Sequence, residues 1–103
     1  MPTFVARINH SPRFKEAHFQ ALKQDGKLPE EVTPIVEAHL QYLRGLKAKG
    51  KIICAGPVVA FTWGLDVLRA DSLEEAKKLI EDDPGVKSGL LTDYKIEPWY
   101  HMV

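Results

Sequence analysis

The hydrophobic residues of this chain recur with two different periods, and the order of these periods restricts the possible folds more than any other feature. Alternation with a period of two is typical of a half-buried strand, whereas spacings of three and four residues are typical of an amphipathic helix. Strands are predicted over residues 4–8, 51–56, 61–70 and 90–98, and the two main helices over residues 34–49 and 72–83. This order predicts a ferredoxin-like α+β fold, βαββαβ, in which an antiparallel sheet carries helices on one face.

Residues with known preferences for helix ends mark both main helices. Thr33 is predicted to cap the first helix, Pro34 suits its first turn, and Gly50 closes it. Ser72 and Glu75 form a capping box at the start of the second helix. The helix boundaries are therefore predicted independently of the hydrophobic pattern.

The segment 10–33 lengthens the link between the first strand and the first main helix. Ser11 and Pro12 are predicted to start a short additional helix that ends at Asp25–Gly26. Its apolar side would carry Phe14, His18, Ala21 and Leu22. This insertion would either wall a pocket or extend a dimer contact.

Composition excludes several classes of function. The 103 residues correspond to one domain of ordinary length, and 14 basic residues balance 14 acidic ones. A chain without net charge lacks the electrostatic attraction that nucleic acids and anionic membranes require. No apolar run is long enough to cross a membrane, and the start of the chain has no basic segment before an apolar one, so a cytoplasmic location is expected. The single cysteine, Cys54, excludes an internal disulfide and is interpreted as a small core residue.

A histidine interrupts the apolar stripe of the first main helix. Val36, His39, Leu43 and Leu46 recur at spacings of three, four and three. An imidazole on this stripe needs a hydrogen-bond partner, because leaving a buried polar group unsatisfied costs about 1–3 kcal/mol. His39 is therefore the first candidate for chemistry, although a histidine satisfied purely for packing remains an alternative.

A second irregularity is the acidic end of the second main helix. Glu81, Asp82 and Asp83 lie where the helix dipole favours cations. Pro84 pushes the backbone of Asp83 out of the helical region, so the side chain of Asp83 leaves the helix path. Glu81 and Asp82 are interpreted as solvated, whereas Asp83 is a candidate for a specific role.

The sheet is predicted to have a second apolar face. Phe4, Ala6 and Ile8 share one side of the first strand, and in the third strand Trp63, Leu65 and Val67 alternate with Asp66 and Leu68. Further apolar residues lie off the main alternation, among them Val5, Leu68 and Tyr94. A contiguous apolar face on a small domain usually marks an interface, so a homodimer packed sheet to sheet, or a higher assembly built from it, is expected.

Several motifs together resemble the YCII-related (YciI-like) family of the dimeric α+β barrel superfamily. They are Ala38–Leu43 followed by Gly50–Pro57, then Ala70–Ala76, then Asp83–Pro84, and finally Gly89–Leu90 through Tyr94 to Trp99. The resemblance covers about residues 34–99, and the insertion at 10–33 departs from it. It implies a dimer joined through the sheets, a pocket between helices and sheet, and an active-site pair formed by His39 and Asp83.

The resemblance also implies a reaction class. Activities in this family and its superfamily include the loss of hydrogen chloride from chlorinated hydroxyquinols and the isomerisation of lactones in aromatic breakdown. A carboxylate that accepts a hydrogen bond from one ring nitrogen of His39 would leave the other nitrogen as a general base. The expected protein is a small lyase or isomerase that acts on a ring-containing metabolite, without cofactor or metal. The alternative is a non-catalytic module that binds a small ligand or assists an enzyme.

Further residues are candidates for contacts with such a substrate. They are Trp63, Tyr94, Tyr42, Gly56 and Pro57, with Trp99 as a further aromatic. Aromatic residues on strands are more often part of a core or an interface than of a ligand site. His10, His18 and His101 are weaker candidates than His39, and no ligand motif supports a metal site.

Overall fold

A four-stranded antiparallel sheet forms the centre of the computed structural model, which describes residues 2–103. The elements are β1 (Thr3–His10), α1 (Pro12–Lys23), α2 (Thr33–Ala48), β2 (Ile52–Pro57), β3 (Trp63–Arg69), α3 (Leu73–Glu81), α4 (Pro84–Lys87) and β4 (Leu91–Trp99). The strand order is β2-β3-β1-β4. The predicted ferredoxin-like α+β fold is therefore confirmed.

The register of β1 decides which residues face the helices. Phe4, Ala6 and Ile8 are buried under the helices, as their alternation predicted. Opposite Phe4 and Ala6 on β3 lie Leu68 and Asp66, because the pairing is antiparallel. Since residues paired across a sheet share a face, Asp66 points toward the helices.

Two residues assigned to the free sheet face lie on the covered face instead. Leu68 is part of the hydrophobic core and pairs with Phe4, and Tyr94 pairs with Ile8 and packs against that core. Both predictions were wrong because β3, and β4 from Tyr94 onward, present their even-numbered residues to the helices. The open face carries Val5, Arg7, Trp63, Leu65 and Val67.

Cys54 is exposed rather than buried. The register of β2 shifts between Ile52 and Cys54, which places Cys54 opposite Val67 on the open face. A bulge of this kind reverses the facing of every residue beyond it. β3 also begins later than predicted, because Phe61 adopts a φ of 55° in the turn before it.

The helix ends follow the predicted signals with one exception. Ser72 accepts a hydrogen bond from the backbone N–H of Glu75, and Gly50 closes α2 with a φ of 73°. Thr33 does not cap α2: its hydroxyl donates to the carbonyl of Pro29 at 3.0 Å. The chain already turns at Pro29, so Thr33 lies within the first helical turn.

The insertion forms α1, as predicted from Ser11 and Pro12. Ser11 accepts a hydrogen bond from the backbone N–H of Phe14 at 3.2 Å, and Phe14, Ala17 and Ala21 are buried. Leu22, however, is 83% exposed. At about 100° per residue, position 22 lies far around the helix from the face of Phe14 and Ala21.

Candidate active site

His39 and Asp83 are in direct contact. The imidazole Nδ1 of His39 lies 2.8 Å from Oδ1 and 2.7 Å from Oδ2 of the Asp83 carboxylate. His39 sits in the middle of α2, and Asp83 is the N-cap of α4, a short helix that the sequence pattern did not predict. The structure thus brings together the two residues that were locally irregular in the sequence.

The geometry of Asp83 depends on the two residues that follow it. Its backbone is extended, with a φ of −64° and a ψ of 125°, as expected before Pro84. Its Oδ1 accepts a hydrogen bond from the backbone N–H of Gly85 at 2.8 Å. A Cβ atom at position 85 would lie 2.8 Å from Cδ1 of Leu91 and 3.2 Å from Nδ1 of His39. The sequence Asp-Pro-Gly is therefore required by the packing around the pair.

The contact determines the tautomer of His39. A carboxylate only accepts hydrogen bonds, so Nδ1 of His39 carries a proton and donates it to Asp83. In the neutral imidazole the other nitrogen, Nε2, is then an acceptor. The side chain of His39 is 20% exposed and that of Asp83 only 2%, so the histidine is the accessible member of the pair. This arrangement can take up a proton at Nε2 and stabilise the resulting imidazolium.

His39 lines a cavity of about 290 Å³ between the sheet and helices α1 and α2. The apolar part of its wall consists mainly of Phe14, Val36, Leu40, Leu43, Phe61 and Leu91. The polar side chains in its wall are those of His10, His18, His39 and Asp66. A small, mostly apolar cavity with a few convergent polar groups is the usual form of a small-molecule site.

Of the predicted substrate contacts, Gly56 and Pro57 line this cavity. Trp63 does not: it lies on the opposite face of the sheet, where the guanidinium of Arg7 stacks over its ring at 4.2 Å. Trp99 pairs with Thr3 on that face too and is 40% exposed. The register of β1 with β3 and β4 excludes both tryptophans from the wall.

The two tyrosines are structural in this fold. Tyr42 donates its O–H to the carbonyl of Leu79 at 2.6 Å, which ties α2 to α3, and burial raises the pKa of Tyr42 to about 12. Tyr94 donates its O–H to the Glu81 carboxylate at 2.8 Å. Neither tyrosine lines the cavity. Phe14 and Phe61 supply the phenyl rings of the cavity wall instead.

Asp66 also belongs to the candidate site, although it was not predicted from the sequence as a site residue. It is only 7% exposed and lines the cavity from the floor of the sheet. Burial, together with the nearby Asp83 carboxylate, raises the pKa of Asp66 to about 6, against the opposing effect of His39. The available signal was its position between Gly64 and Leu68, since an acid that alternates with core residues faces the core.

His10 and His18 also reach the cavity, although the sequence ranked them below His39. His10 donates from Nδ1 to the carbonyl of Phe61 at 2.7 Å, and His18 stacks on the Phe61 ring with centroids 4.3 Å apart. Burial lowers the pKa of both histidines. Nε2 of His18 is buried without a hydrogen-bond partner in the part of the chain that the structure describes. The insertion therefore forms one wall of the cavity.

Two negative findings apply to residues 2–103. No group of three or more His, Cys, Asp or Glu side chains within this range is arranged to hold a metal ion. No helix of the described chain combines the length and the apolar character needed to cross a bilayer.

The chain is similar to proteins in two comparisons. Over 64 residues it is 38% identical to "Uncharacterized protein YjpA" of Bacillus subtilis (strain 168), which covers 62% of this chain and 74% of YjpA. Among solved structures it is similar to 5-chloro-2-hydroxyhydroquinone dehydrochlorinase (TftG) of Burkholderia phenoliruptrix AC1100, solved in complex with 2,5-dihydroxybenzoquinone. That match has 25% identity and a TM-score of 0.65 and covers 96% of this chain and 94% of TftG.

The family assignment agrees with the motifs found in the sequence. The sheet order and the helices on one face are those expected of a dimeric α+β barrel protomer. The sequence model of the family described as "YCII-related domain" matches residues 13–100, and the chain therefore belongs to the YCII-related family.

Proposed function

We propose that this protein is a small-molecule lyase or isomerase that uses His39 as a general acid-base and Asp83 to orient it. The substrate is a hydroxylated ring compound of the kind formed in aromatic breakdown. The observation that carries the proposal is the hydrogen bond from Nδ1 of His39 to Asp83 at the wall of the cavity. A positioned general base of this type contributes about 10²–10⁴-fold to a reaction rate.

The similarity to TftG suggests a specific test reaction, the loss of hydrogen chloride from 5-chloro-2-hydroxyhydroquinone. A base removes a phenolic proton while the carbon that bears chlorine takes up a proton. A second hydroxyl then loses its proton as the C–Cl bond breaks, and chloride leaves with the bonding electrons. The products are hydroxybenzoquinone and hydrogen chloride. Two ring hydroxyls become carbonyls while the C–Cl bond is replaced by C–H, so the reaction needs only proton transfers and the departure of chloride, with no external oxidant or reductant.

The decisive experiment measures chloride release from 5-chloro-2-hydroxyhydroquinone under anaerobic conditions, which prevent oxidation of the substrate by air. We expect the wild-type protein to accelerate the reaction, and His39→Gln to lower the rate by about 10²–10⁴-fold. His101→Gln is the matched control, because His101 is exposed and lies outside the cavity wall. Circular dichroism spectra that match the wild-type spectrum show that the variants are folded. Equal rates for His39→Gln and wild type, or no acceleration by the wild type, would contradict the proposal.

The alternative function is a module that binds a ring compound without transforming it. It is favoured by the full satisfaction of the Asp83 carboxylate, which accepts from both His39 and Gly85, as in a purely structural pair. Saturable binding of hydroquinone to the wild type without chloride release would support this alternative.

We also propose that the protein is a homodimer joined through the open face of its sheet. Leu65 on this face is 37% exposed, Trp99 is 40% exposed, and Val5, which is half-buried, lies between them in the sheet. Association would remove this apolar surface from water, which is favourable by roughly 25 cal/mol per Å².

A further inference from the structure

We infer that Asp66 is the specificity-determining residue of the cavity: it binds a ring hydroxyl of an uncharged substrate and excludes rings that carry a carboxylate. This inference deepens the proposed function and rests on it for the identity of the site. It concerns ligand selection, so it can be tested without turnover.

The placement of Asp66 directs its carboxyl into the cavity. Its cross-strand partners on the two sides are Ala6 and Ala55, whose small side chains leave the space beside the carboxyl open. Asp66 is 93% buried, as its 7% exposure implies, and it lines the cavity. No side-chain hydrogen bond to its carboxyl is found within residues 2–103, and its oxygens, unlike Nε2 of His18, are not closed off from the cavity. A carboxyl that opens into a cavity without a partner from the described chain can accept a hydrogen bond from a ligand hydroxyl.

The charges around the cavity favour an uncharged ligand. Within the described chain the cavity wall includes no Lys or Arg side chain. The Nδ1 proton of His39 is already donated to Asp83. Burial lowers the pKa of His10 and His18, so both are neutral imidazoles near pH 7. A ligand carboxylate would therefore meet the negative charge of Asp66 with no Lys or Arg side chain of the described wall to balance it.

The protonation of Asp66 makes this selection dependent on pH. Its pKa is raised to about 6, so the carboxyl is mainly ionised at pH 7.5 and mainly protonated at pH 5. The other titratable groups that face it are His10 on β1, His18 on α1, His39 and Tyr42 on α2, and Asp83 before α4. All of these groups remain in an Asp66→Asn variant. Any pH dependence of the binding preference that persists in this variant therefore comes from them and not from Asp66.

The test compares the binding of hydroquinone with that of 2,5-dihydroxybenzoate, the same ring diol with an added carboxylate. Isothermal titration calorimetry and NMR titration give both dissociation constants at pH 7.5 and pH 5. At pH 7.5 we expect the wild type to prefer hydroquinone by at least about tenfold, as one charge-assisted contact implies. Asp66→Asn should reduce this preference at least about fivefold and remove most of its change with pH. Asp93→Asn, the same substitution on β4 outside the cavity, should behave as the wild type.

Three outcomes would overturn the inference: equal preference in wild type and Asp66→Asn, tight binding of 2,5-dihydroxybenzoate by the wild type, or no saturable binding of hydroquinone. If Asp66→Asn does not fold, Asp66→Ala, which removes the carboxyl without adding an amide, is measured in the same comparison. Failure of the proposed function has a different signature. An active His39→Gln variant would contradict the catalytic role of His39 and leave the binding preference unchanged.

Discussion

The Asp83 carboxylate accepts hydrogen bonds from two donors that approach it from different parts of the chain. Nδ1–H of His39 comes from α2, and the backbone N–H of Gly85 comes from the first turn of α4. Because Asp83 is 1% exposed, water cannot replace either donor. The orientation of His39 and the start of α4 are therefore determined by the same two oxygen atoms.

The first prediction at this scale concerns the tautomer of His39. Asp83→Asn replaces an obligate acceptor by an amide that can donate, so the Nδ1–H tautomer loses its stabilisation. We expect the ¹⁵N shifts of the His39 ring to change toward the Nε2–H form and the rate of chloride release to fall by about 10²-fold or more. Asp82→Asn, one residue earlier, should change neither quantity. An unaltered Nδ1–H tautomer in Asp83→Asn would exclude the orienting role.

The second prediction concerns Gly85. An added Cβ would lie 2.8 Å from Cδ1 of Leu91, so Gly85→Ala must displace either the side chain or α4. We expect the free energy of unfolding in urea to fall by about 1–3 kcal/mol, as for other overpacked sites. Gly45→Ala in α2 is the control, because a Cβ there meets no atom within 4 Å. It should be neutral or stabilising by about 0.5–1 kcal/mol. A Gly85→Ala variant as stable as Gly45→Ala would contradict the packing argument.

The third prediction uses the raised pKa of Asp66. The folded-state pKa of Asp66, about 6, exceeds the ordinary aspartate value of 3.8, so the folded protein binds this proton more tightly than the unfolded chain does. The resulting stability is fully present below pH 4 and is lost as the pH rises through 6. A shift of this size corresponds to about 2–3 kcal/mol. In chemical denaturation, Asp66→Asn should therefore gain stability relative to the wild type between pH 4 and pH 8. A constant difference across this range would show that Asp66 titrates normally.

Among the elements, α1 is the part of the insertion at 10–33 that reaches the candidate site. It carries Phe14 and His18 into the cavity wall, and its N-terminus is held by the Ser11 side chain. The sequence predicted this helix from Ser11 and Pro12 because capping depends on neighbours in the chain. The prediction placed Leu22 on the apolar side of α1, which was wrong. It did not include α4, because the four residues of that helix are too few to show a hydrophobic period.

The N-cap of α1 provides the fourth prediction. Ser11→Ala removes the acceptor for the backbone N–H of Phe14, which should cost about 1 kcal/mol. Because the cap belongs to α1, the variant should show faster hydrogen exchange in residues 12–23. It should also bind hydroquinone more weakly, since α1 forms part of the cavity wall. Ser72→Ala removes the corresponding cap of α3, away from the cavity wall, and should accelerate exchange in α3 without changing binding. Identical effects of the two variants on binding would contradict the role of α1 as a wall.

At the scale of the whole molecule, the sheet separates two surfaces with different roles. The helix-covered face holds the cavity with His39 and Asp66, and the open face carries Val5, Leu65 and Val67. The proposed dimer would cover the open face and leave the cavity of each protomer on its own side of the sheet.

The fifth prediction tests this assembly. Light scattering should give twice the 11.6 kDa mass of the chain for the wild type. Leu65→Lys places a charge in the centre of the open face and should produce a monomer, since burying an unpaired charge is unfavourable. Leu22→Lys, at an 83% exposed position on α1, should leave the mass unchanged. A monomeric wild type, or a dimeric Leu65→Lys, would contradict the proposed interface.

The order of the four strands and the three longer helices, the caps at Ser11 and Ser72, and the irregularity of His39 and Asp83 all follow from the sequence. These features depend on residues a few positions apart, whose periodicity and capping preferences act locally. The contact between His39 and Asp83 spans 44 positions, and only the packing of α2 against α4 brings it about.

Which side of each strand faces the cavity depends on the pairing between strands that are distant in the chain. Asp66 and Trp63 lie three positions apart on β3, so they face opposite sides of the sheet, and the register with β1 decides that Asp66 is the one on the cavity side. The bulge after Ile52 likewise exposes Cys54. A shift of one residue in a strand reverses every side chain, and that register is set by pairing between distant segments.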